Sequence, residues 1–231
     1  MKKKLIIVSG GSSDIFQNLI KKKFLKGSKI VAVYNASKNL IKKKNIIYIK
    51  LDYTKKISFK KYEKILKNYK KIILINFASK KTNKIFLDID ISDFIKDFKI
   101  NTLSYFNICK LIIPFMIKNN WGRIINISST GGEKGDIGTT TYTSTKLAAN
   151  GITNILSKEF ARFGITCNTI RLGNFKTGMY LNLNKNLKKK ILKEIPSGKT
   201  GKLINIYKAI NFLINSDYTN NAYINIDGGY R

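Results

Sequence analysis

Histidine is absent from this 231-residue chain, and cysteine occurs only twice, at Cys109 and Cys167. Without an imidazole there is no Ser-His-Asp or Cys-His nucleophile and no His-containing zinc site. The two cysteines are far apart along the chain and lie in apolar surroundings, so they read as buried reduced thiols and not as a redox pair. Catalysis must draw on Tyr, Lys, Ser, Asn or carboxylates, together with an organic cofactor; no metal is expected. Acidic residues are also scarce, with Asp+Glu 13 against Lys+Arg 44. No apolar run approaches the roughly 18–20 residues that span a bilayer. The stretch after Met1-Lys2-Lys3-Lys4, Leu5–Val8, is too short for a signal h-region. A soluble cytoplasmic protein is expected.

The formal net charge of +31 invites a nucleic-acid reading. Its composition argues otherwise. Arginine occurs only at 123, 162, 171 and 231, so 40 of the 44 cations are lysine. Lys, Asn and Ile, all abundant here, have A/T-rich codons, and the lysines form short scattered runs (2–4, 21–23, 42–44, 188–190). A domain that reads phosphates gathers its cations on one face. Codon bias on a solvated surface accounts for the pattern, and no specific nucleic-acid partner is expected. Hydrophobic residues at 43% supply the apolar area that a disordered basic tail lacks.

Short apolar β-branched runs alternate with segments of helical period. The runs are Leu5–Val8, Ile30–Val33, Ile46–Leu51, Ile72–Phe77, Arg123–Ser128, Ile165–Arg171 and Ala222–Ile226. The helical stretches are Ile15–Leu25, Tyr62–Lys67, an interrupted Ser92–Asn119, Tyr142–Phe163 and Leu203–Ile214. This alternation predicts an α/β fold, a doubly wound and mostly parallel sheet with helices on both faces. Runs apolar throughout, such as Ile72-Ile73-Leu74-Ile75, suit strands covered on both sides. No repeat or Pro/Ser/Gly linker divides the chain, so residues 1–231 read as one domain. The irregular, lysine-rich stretch near 174–201 follows the carboxyl end of a strand, where ligands bind, and is the expected lid.

Two motifs carry chemistry. Val8-Ser9-Gly10-Gly11-Ser12-Ser13-Asp14-Ile15-Phe16 passes from strand one into helix one, a small-residue turn whose backbone N–H groups can approach a pyrophosphate. In Tyr142-Thr143-Ser144-Thr145-Lys146 the i, i+4 spacing sets phenol and ammonium on one helix face. A cation near the phenol favours the phenolate and lowers its pKa, as a general acid/base requires.

With Asn126-Ile127-Ser128-Ser129 and a Gly-rich loop ahead of that pair, the chain resembles the short-chain dehydrogenase/reductase family, and is similar to its 3-oxoacyl-acyl-carrier-protein reductases. The resemblance implies a Rossmann-type doubly wound parallel sheet of about seven strands, dinucleotide-binding and catalytic over the whole length. The family's serine, thirteen positions before the tyrosine, falls on Ser129, and its asparagine, twenty-eight before that serine, on Asn101. The implied catalytic set is therefore Asn101, Ser129, Tyr142 and Lys146. The implied cofactor contacts are Ser9, Gly10, Ser12, Ser13, Asp14 and Ile15 in the first turn, Asp52 after strand three, Asn76 and Ala78 in Asn76-Phe77-Ala78-Ser79, Gly173 and Thr177, with Tyr142 and Lys146 again. Family members that use NAD place an acid at the end of strand two. Here the segment is Val33-Tyr34-Asn35-Ala36-Ser37-Lys38, and Asn35, Ser37 and Lys38 suit a 2′-phosphate. NADP(H) is favoured and NAD(H) is the alternative.

The departures from the family pattern fall on the cofactor side: Asp14 and Phe16 stand at glycines, Phe77 and Ser79 replace the second Asn and the Gly of Asn-Asn-Ala-Gly, and Leu172 replaces a proline. As the resemblance implies, Tyr142 protonates a substrate carbonyl while hydride reaches its carbon. Ser129 orients the oxygen, Lys146 holds ribose hydroxyls, and Asn101 maintains a helix kink. The expected substrate is a small-molecule or carrier-bound carbonyl, 3-oxoacyl-like or from a glycan or lipid pathway. The family also implies a homodimer or homotetramer through helices near 102–119 and 145–162. Two other readings compete: a cofactor-impaired member serving as a binding or scaffold protein, and a nucleic-acid binder living off its charge.

Overall fold

The computed structural model describes residues 4–21, 27–35, 40–55, 60–177 and 180–230. Seven strands form one sheet: β1 (Lys4–Ser9), β2 (Lys29–Tyr34), β3 (Ile46–Lys50), β4 (Lys71–Asn76), β5 (Gly122–Ser129), β6 (Ile165–Leu172) and β7 (Tyr223–Ile226). Their order is β3-β2-β1-β4-β5-β6-β7, and every neighbouring pair is parallel. Each strand lies on one of the seven apolar runs. Alternate side chains point to opposite faces, so Ile6, Val8, Ile73 and Ile75 enter one buried layer while Leu5, Ile7, Ile72 and Leu74 enter the other.

Helices cover both layers. Phe16, Leu19 and Ile20 of α1 (Asp14–Lys21) share the first layer with Ile206, Ile210 and Leu213 of α8 (Leu203–Asn215). The second holds Leu66 of α2 (Lys60–Leu66), Tyr105, Ile108, Ile112 and Met116 of α4 (Ser104–Lys118), and Ala149 of α6 (Thr140–Glu159). Cys109 and Cys167 are free, buried thiols of this second layer. Folding brings them together around Tyr105, which interacts with both, and burial pushes Cys167 up to about 12.

The interrupted helix predicted for Ser92–Asn119 is α3 (Ile91–Phe98) running through a π-helical turn, Lys99–Leu103, into α4. By length and composition this 28-residue helix could cross a membrane, which the run-by-run reading of the sequence did not anticipate. Half of its most apolar window is buried in the fold, with Asp97 and Asn101 inside. The π turn advances the helix so that Asn101 and the adjacent Thr102 both reach α6: Asn101 Nδ2 donates to Thr145 Oγ1 (2.9 Å) and Thr102 Oγ1 to the Thr145 carbonyl (2.9 Å).

The ends of the segment near 174–201 meet. Phe175 and Gly201 form a parallel bridge, and Gly201 N–H donates to the Asn174 carbonyl at 2.8 Å. Between them lies α7 (Lys185–Glu194), capped by Asn184, whose Oδ1 accepts from Leu187 N–H. Its last residue, Glu194, accepts from Lys134 Nζ (2.8 Å) on the short α5 (Gly131–Lys134) and from Tyr230 Oη (3.3 Å).

Candidate active site

The strand order reverses between β1 and β4, and in such sheets ligands bind beyond the carboxyl ends of the strands at that switch. Ser9 ends β1, Asn76 ends β4, Ser129 ends β5 and Leu172 ends β6. Adjacent strand residues alternate, and Ser129, not the buried Ser128, meets the tyrosine: the Tyr142 phenol faces the hydroxyls of Ser129 and Ser79. Ser129 Oγ also accepts from Gly131 N–H at 3.1 Å. Lys146 is buried one turn along α6, its Nζ donating to the Ile127 carbonyl (2.9 Å) and lying 5.9 Å from the Tyr142 ring centroid. Asn101 closes the group. Its Oδ1 accepts from Lys80 N–H (2.7 Å) and its Nδ2 donates to the Lys80 carbonyl (2.9 Å).

Burial overturns one electrostatic expectation. Desolvation holds the Tyr142 phenol above its ordinary value, opposed by Ser129 and Ser79, and it draws Lys146 down to about 8. The low-dielectric surroundings penalise both charged forms, so the i, i+4 cation does not by itself lower the phenol. A second lysine, Lys81, places Nζ 5.7 Å from the same ring; burial lowers its pKa and Asp136 opposes that shift. Ser79 and Lys81 were not among the site residues read from the sequence. Ser79 stood there only as a departure from a glycine pattern, and Lys81 was one lysine among many.

On the cofactor side, Gly10 has φ +72°, and a Cβ there would fall 2.6 Å from the Ala78 amide nitrogen, so only glycine permits this approach of turn to β4 loop. Ser13 caps α1, its Oγ accepting from Phe16 N–H (3.3 Å). Ser12 and Ile15 are half-buried beside it, and Asp14 is exposed, its carboxylate free to face water. This glycine cradle at a capped helix N-terminus fits a dinucleotide's diphosphate. Ser9 and Asn76 are fully buried and bonded to each other, Ser9 Oγ donating to Asn76 Oδ1. Asn76 Nδ2 donates to Asn126 Oδ1 (3.0 Å), and Asn126 Nδ2 to Asn150 Oδ1 (3.2 Å), a polar ladder from β1 to α6.

The remaining expected contacts lie along the same edge. Asp52 follows β3, with Oδ1 accepting from Thr54 N–H and Oγ1; those bonds hold its carboxyl below the ordinary range. Ala78 is buried against the Gly10 turn. Gly173 N–H donates to the Ile226 carbonyl, and a Cβ there would meet Asp227 Cα at 2.7 Å. Thr177 is half-buried, its N–H bonded to the Phe175 carbonyl. Asn35 is exposed beyond β2, while Ser37 and Lys38 lie outside the described residues. Among the described residues there is no group of three His, Cys, Asp or Glu side chains placed to hold a metal ion.

A parallel α/β sheet with a glycine cradle at its switch point, beside a buried tyrosine and lysine, defines a dinucleotide-dependent oxidoreductase. The short chain dehydrogenase family profile matches residues 4–188, and the chain belongs to that family. It is 36% identical over 208 residues to a 3-oxoacyl-acyl-carrier-protein reductase of Buchnera aphidicola, covering 88% of this chain and 82% of that protein. It is 33% identical over 159 residues to nodulation protein G of Azospirillum brasilense, covering 68% of this chain and 65% of that one. An acetoacetyl-CoA reductase of Allochromatium vinosum is 33% identical over 159 residues, with the same two shares.

Proposed function

We propose that this chain reduces a 3-oxoacyl thioester, or a ketone similarly flanked, with NADP(H) as the cofactor. The observation that carries the reading is the convergence of Tyr142, Ser129, Lys146 and Asn101 at the carboxyl ends of β4 and β5, beside the Gly10 cradle. The names of the reductases that match over most of this chain support the substrate class.

A bound reduced nicotinamide supplies the hydride. Tyr142 gives its phenolic proton to the substrate oxygen, and Ser129 donates a hydrogen bond to that oxygen and holds it in line. Lys146 spends one N–H on the Ile127 carbonyl, which leaves two donors for ribose hydroxyls. Asn101 anchors the β4–α3 loop to α6 and so keeps Tyr142 in place. The N–H groups of the Gly10–Ile15 turn take the diphosphate, with Asp52, Ala78, Gly173 and Thr177 along the same edge. No acid follows β2 at Asn35, which supports a 2′-phosphate over a free ribose hydroxyl.

The lid reading of 174–201 is supported by its closed neck at Phe175 and Gly201. Self-association is supported by apolar side chains left exposed on the two long helices, Leu103 and Phe106 on one and Leu147 and Ile155 on the other.

Fluorescence titration with NADPH and NADH, followed by NADPH consumption with 3-oxoacyl thioesters, sugars and simple ketones, tests the proposal. Saturable binding and turnover lost in Tyr142→Phe are expected. Absence of saturable binding favours the scaffold reading, and tighter NADH binding overturns the cofactor assignment.

A further inference from the structure

We infer that Ser79 is a further hydroxyl of the reaction site, held against the Tyr142 phenol by a buried positioning residue, Asp97. This deepens the reductase reading and rests on it. Ser79 is exposed at the end of a buried run, Asn76–Ala78, and its hydroxyl faces the Tyr142 phenol, favouring the phenolate against the burial that opposes it; the next residue but one, Lys81, places its Nζ 5.7 Å from the same ring. The loop that presents it is fixed from behind. Asp97, with no solvent exposure, accepts from Lys80 Nζ (3.0 Å), Thr82 N–H (3.1 Å) and Thr82 Oγ1 (3.1 Å). The same carboxylate accepts from Thr141 Oγ1 at 2.7 Å, and Thr141 directly precedes Tyr142.

One buried charge therefore fastens both segments that bring the two hydroxyls together: Lys80 and Thr82 follow Ser79, and Thr141 lies in the first turn of α6. Asn101 clamps the Lys80 amide from the other side. Bonds to an ionised acceptor in a dry site are the stiffest a side chain can make. A glycine at position 79, as in the family pattern, would leave the loop in place and remove the hydroxyl.

The chemistry follows from donors and acceptors. As Tyr142 loses its proton to the substrate oxygen, negative charge grows on the phenolic oxygen. Ser79 then donates to it while keeping its own proton, and the single Ser129 proton stays on the substrate oxygen. Lys146 from α6 and Lys81 from the loop also face this tyrosine, with Asp136 opposite Lys81; none of these charges changes when Ser79 does.

The test is the pH dependence of kcat/KM for acetoacetyl-CoA reduction with NADPH in wild type, Ser79→Ala, Ser79→Thr, Asp97→Asn and Thr141→Val. Tyr142 acts as an acid in this direction, so activity falls as pH rises through its titration. Removing a donor to the phenolate raises that inflection. Ser79→Ala is expected to lose about tenfold in kcat, one hydrogen bond to a charged group, and to shift the basic limb upward. Ser79→Thr restores the limb, and Asp97→Asn or the milder Thr141→Val moves it as Ser79→Ala does. A variant that had only lost stability would leave the inflection in place. Ser79→Ala with wild-type kcat and an unmoved limb overturns the inference while the reductase reading stands. If wild type shows no turnover, or Tyr142→Phe retains it, that reading fails. The tyrosine Cζ NMR titration of the cofactor-free protein, with Tyr142 assigned by Tyr142→Phe, then decides alone: an unmoved midpoint in Ser79→Ala rejects the contact.

Discussion

Phe16 and Phe77 meet ring to ring, centroids 6.2 Å apart and planes tilted by 42°, and both are buried. Each stands where the family pattern has a small or polar residue, so two departures that look independent along the chain are one packing unit. The ring of α1 fills space against the ring after β4, and the Gly10 turn between them keeps its close approach to Ala78.

A double-mutant cycle tests that unit. Phe16→Ala and Phe77→Ala should each cost about 3–5 kcal/mol in urea denaturation, the range for a buried phenylalanine. Their coupling should be about 0.5–1.5 kcal/mol, as for an aromatic pair. Additive effects would show that the rings do not support one another.

Lys146 should trade stability for function. Its pKa falls from 10.5 to about 8 in the fold, so between those values the unfolded chain binds more protons and stability rises with pH. The penalty is fully present below pH 8 and gone above 10.5. At neutral pH it is of order 3 kcal/mol, offset by about 1 kcal/mol for the bond to the Ile127 carbonyl. Lys146→Met should therefore abolish turnover yet unfold at higher urea than wild type at pH 7, with the advantage shrinking by pH 10. A less stable variant at pH 7 would contradict this.

The ladder of Ser9, Asn76, Asn126 and Asn150 should be most sensitive at its middle. Asn126→Ala strands the Asn76 amide and the Asn150 carbonyl together, and buried unpaired groups cost about 1–3 kcal/mol each. A loss of about 2–4 kcal/mol by thermal or urea unfolding is expected, larger than for Asn150→Ala at the end of the ladder.

Trypsin can report on the 174–201 segment, because α7 carries Lys185, Lys188, Lys189, Lys190 and Lys193. Lys134 holds the end of α7 through Glu194 and lies 3.8 Å over the Tyr230 ring. Lys134→Met should speed cleavage within 185–193 several-fold and raise KM more than it lowers kcat. Unchanged digestion would show that the Lys134–Glu194 contact does not restrain the segment.

Much of this architecture was legible one segment at a time. Ile72–Ile75 reads as a strand covered on both sides because β-branched apolar residues fit nothing else as well, and all seven strands fell on such runs. Tyr142 and Lys146 could be paired because helical spacing alone puts them on one face. Asp97 was harder. One of two aspartates on an amphipathic helix, next to Phe98 and one turn after Asp93, is a weak signal, and its partners Lys80, Thr82 and Thr141 come from two other segments. The π turn at Lys99–Leu103 showed only as an interruption in the period, since its cause is the contact of Asn101 and Thr102 with α6.

The sequence by itself determined which chemistry was open: no histidine, a tyrosine and lysine one turn apart, and a small-residue turn leading into the first helix. Those are local facts, set by residue type and by 3.6 residues per turn. Only the tertiary structure decided the electrostatics of the site. Desolvation depends on every group packed around an ionisable atom, and here burial raises the Tyr142 phenol and lowers the Lys146 ammonium where adjacency alone implied a lowered phenol. The same packing brought Ser79 and Lys81 to that tyrosine from a loop some sixty positions away, a juxtaposition that no reading along the chain contains.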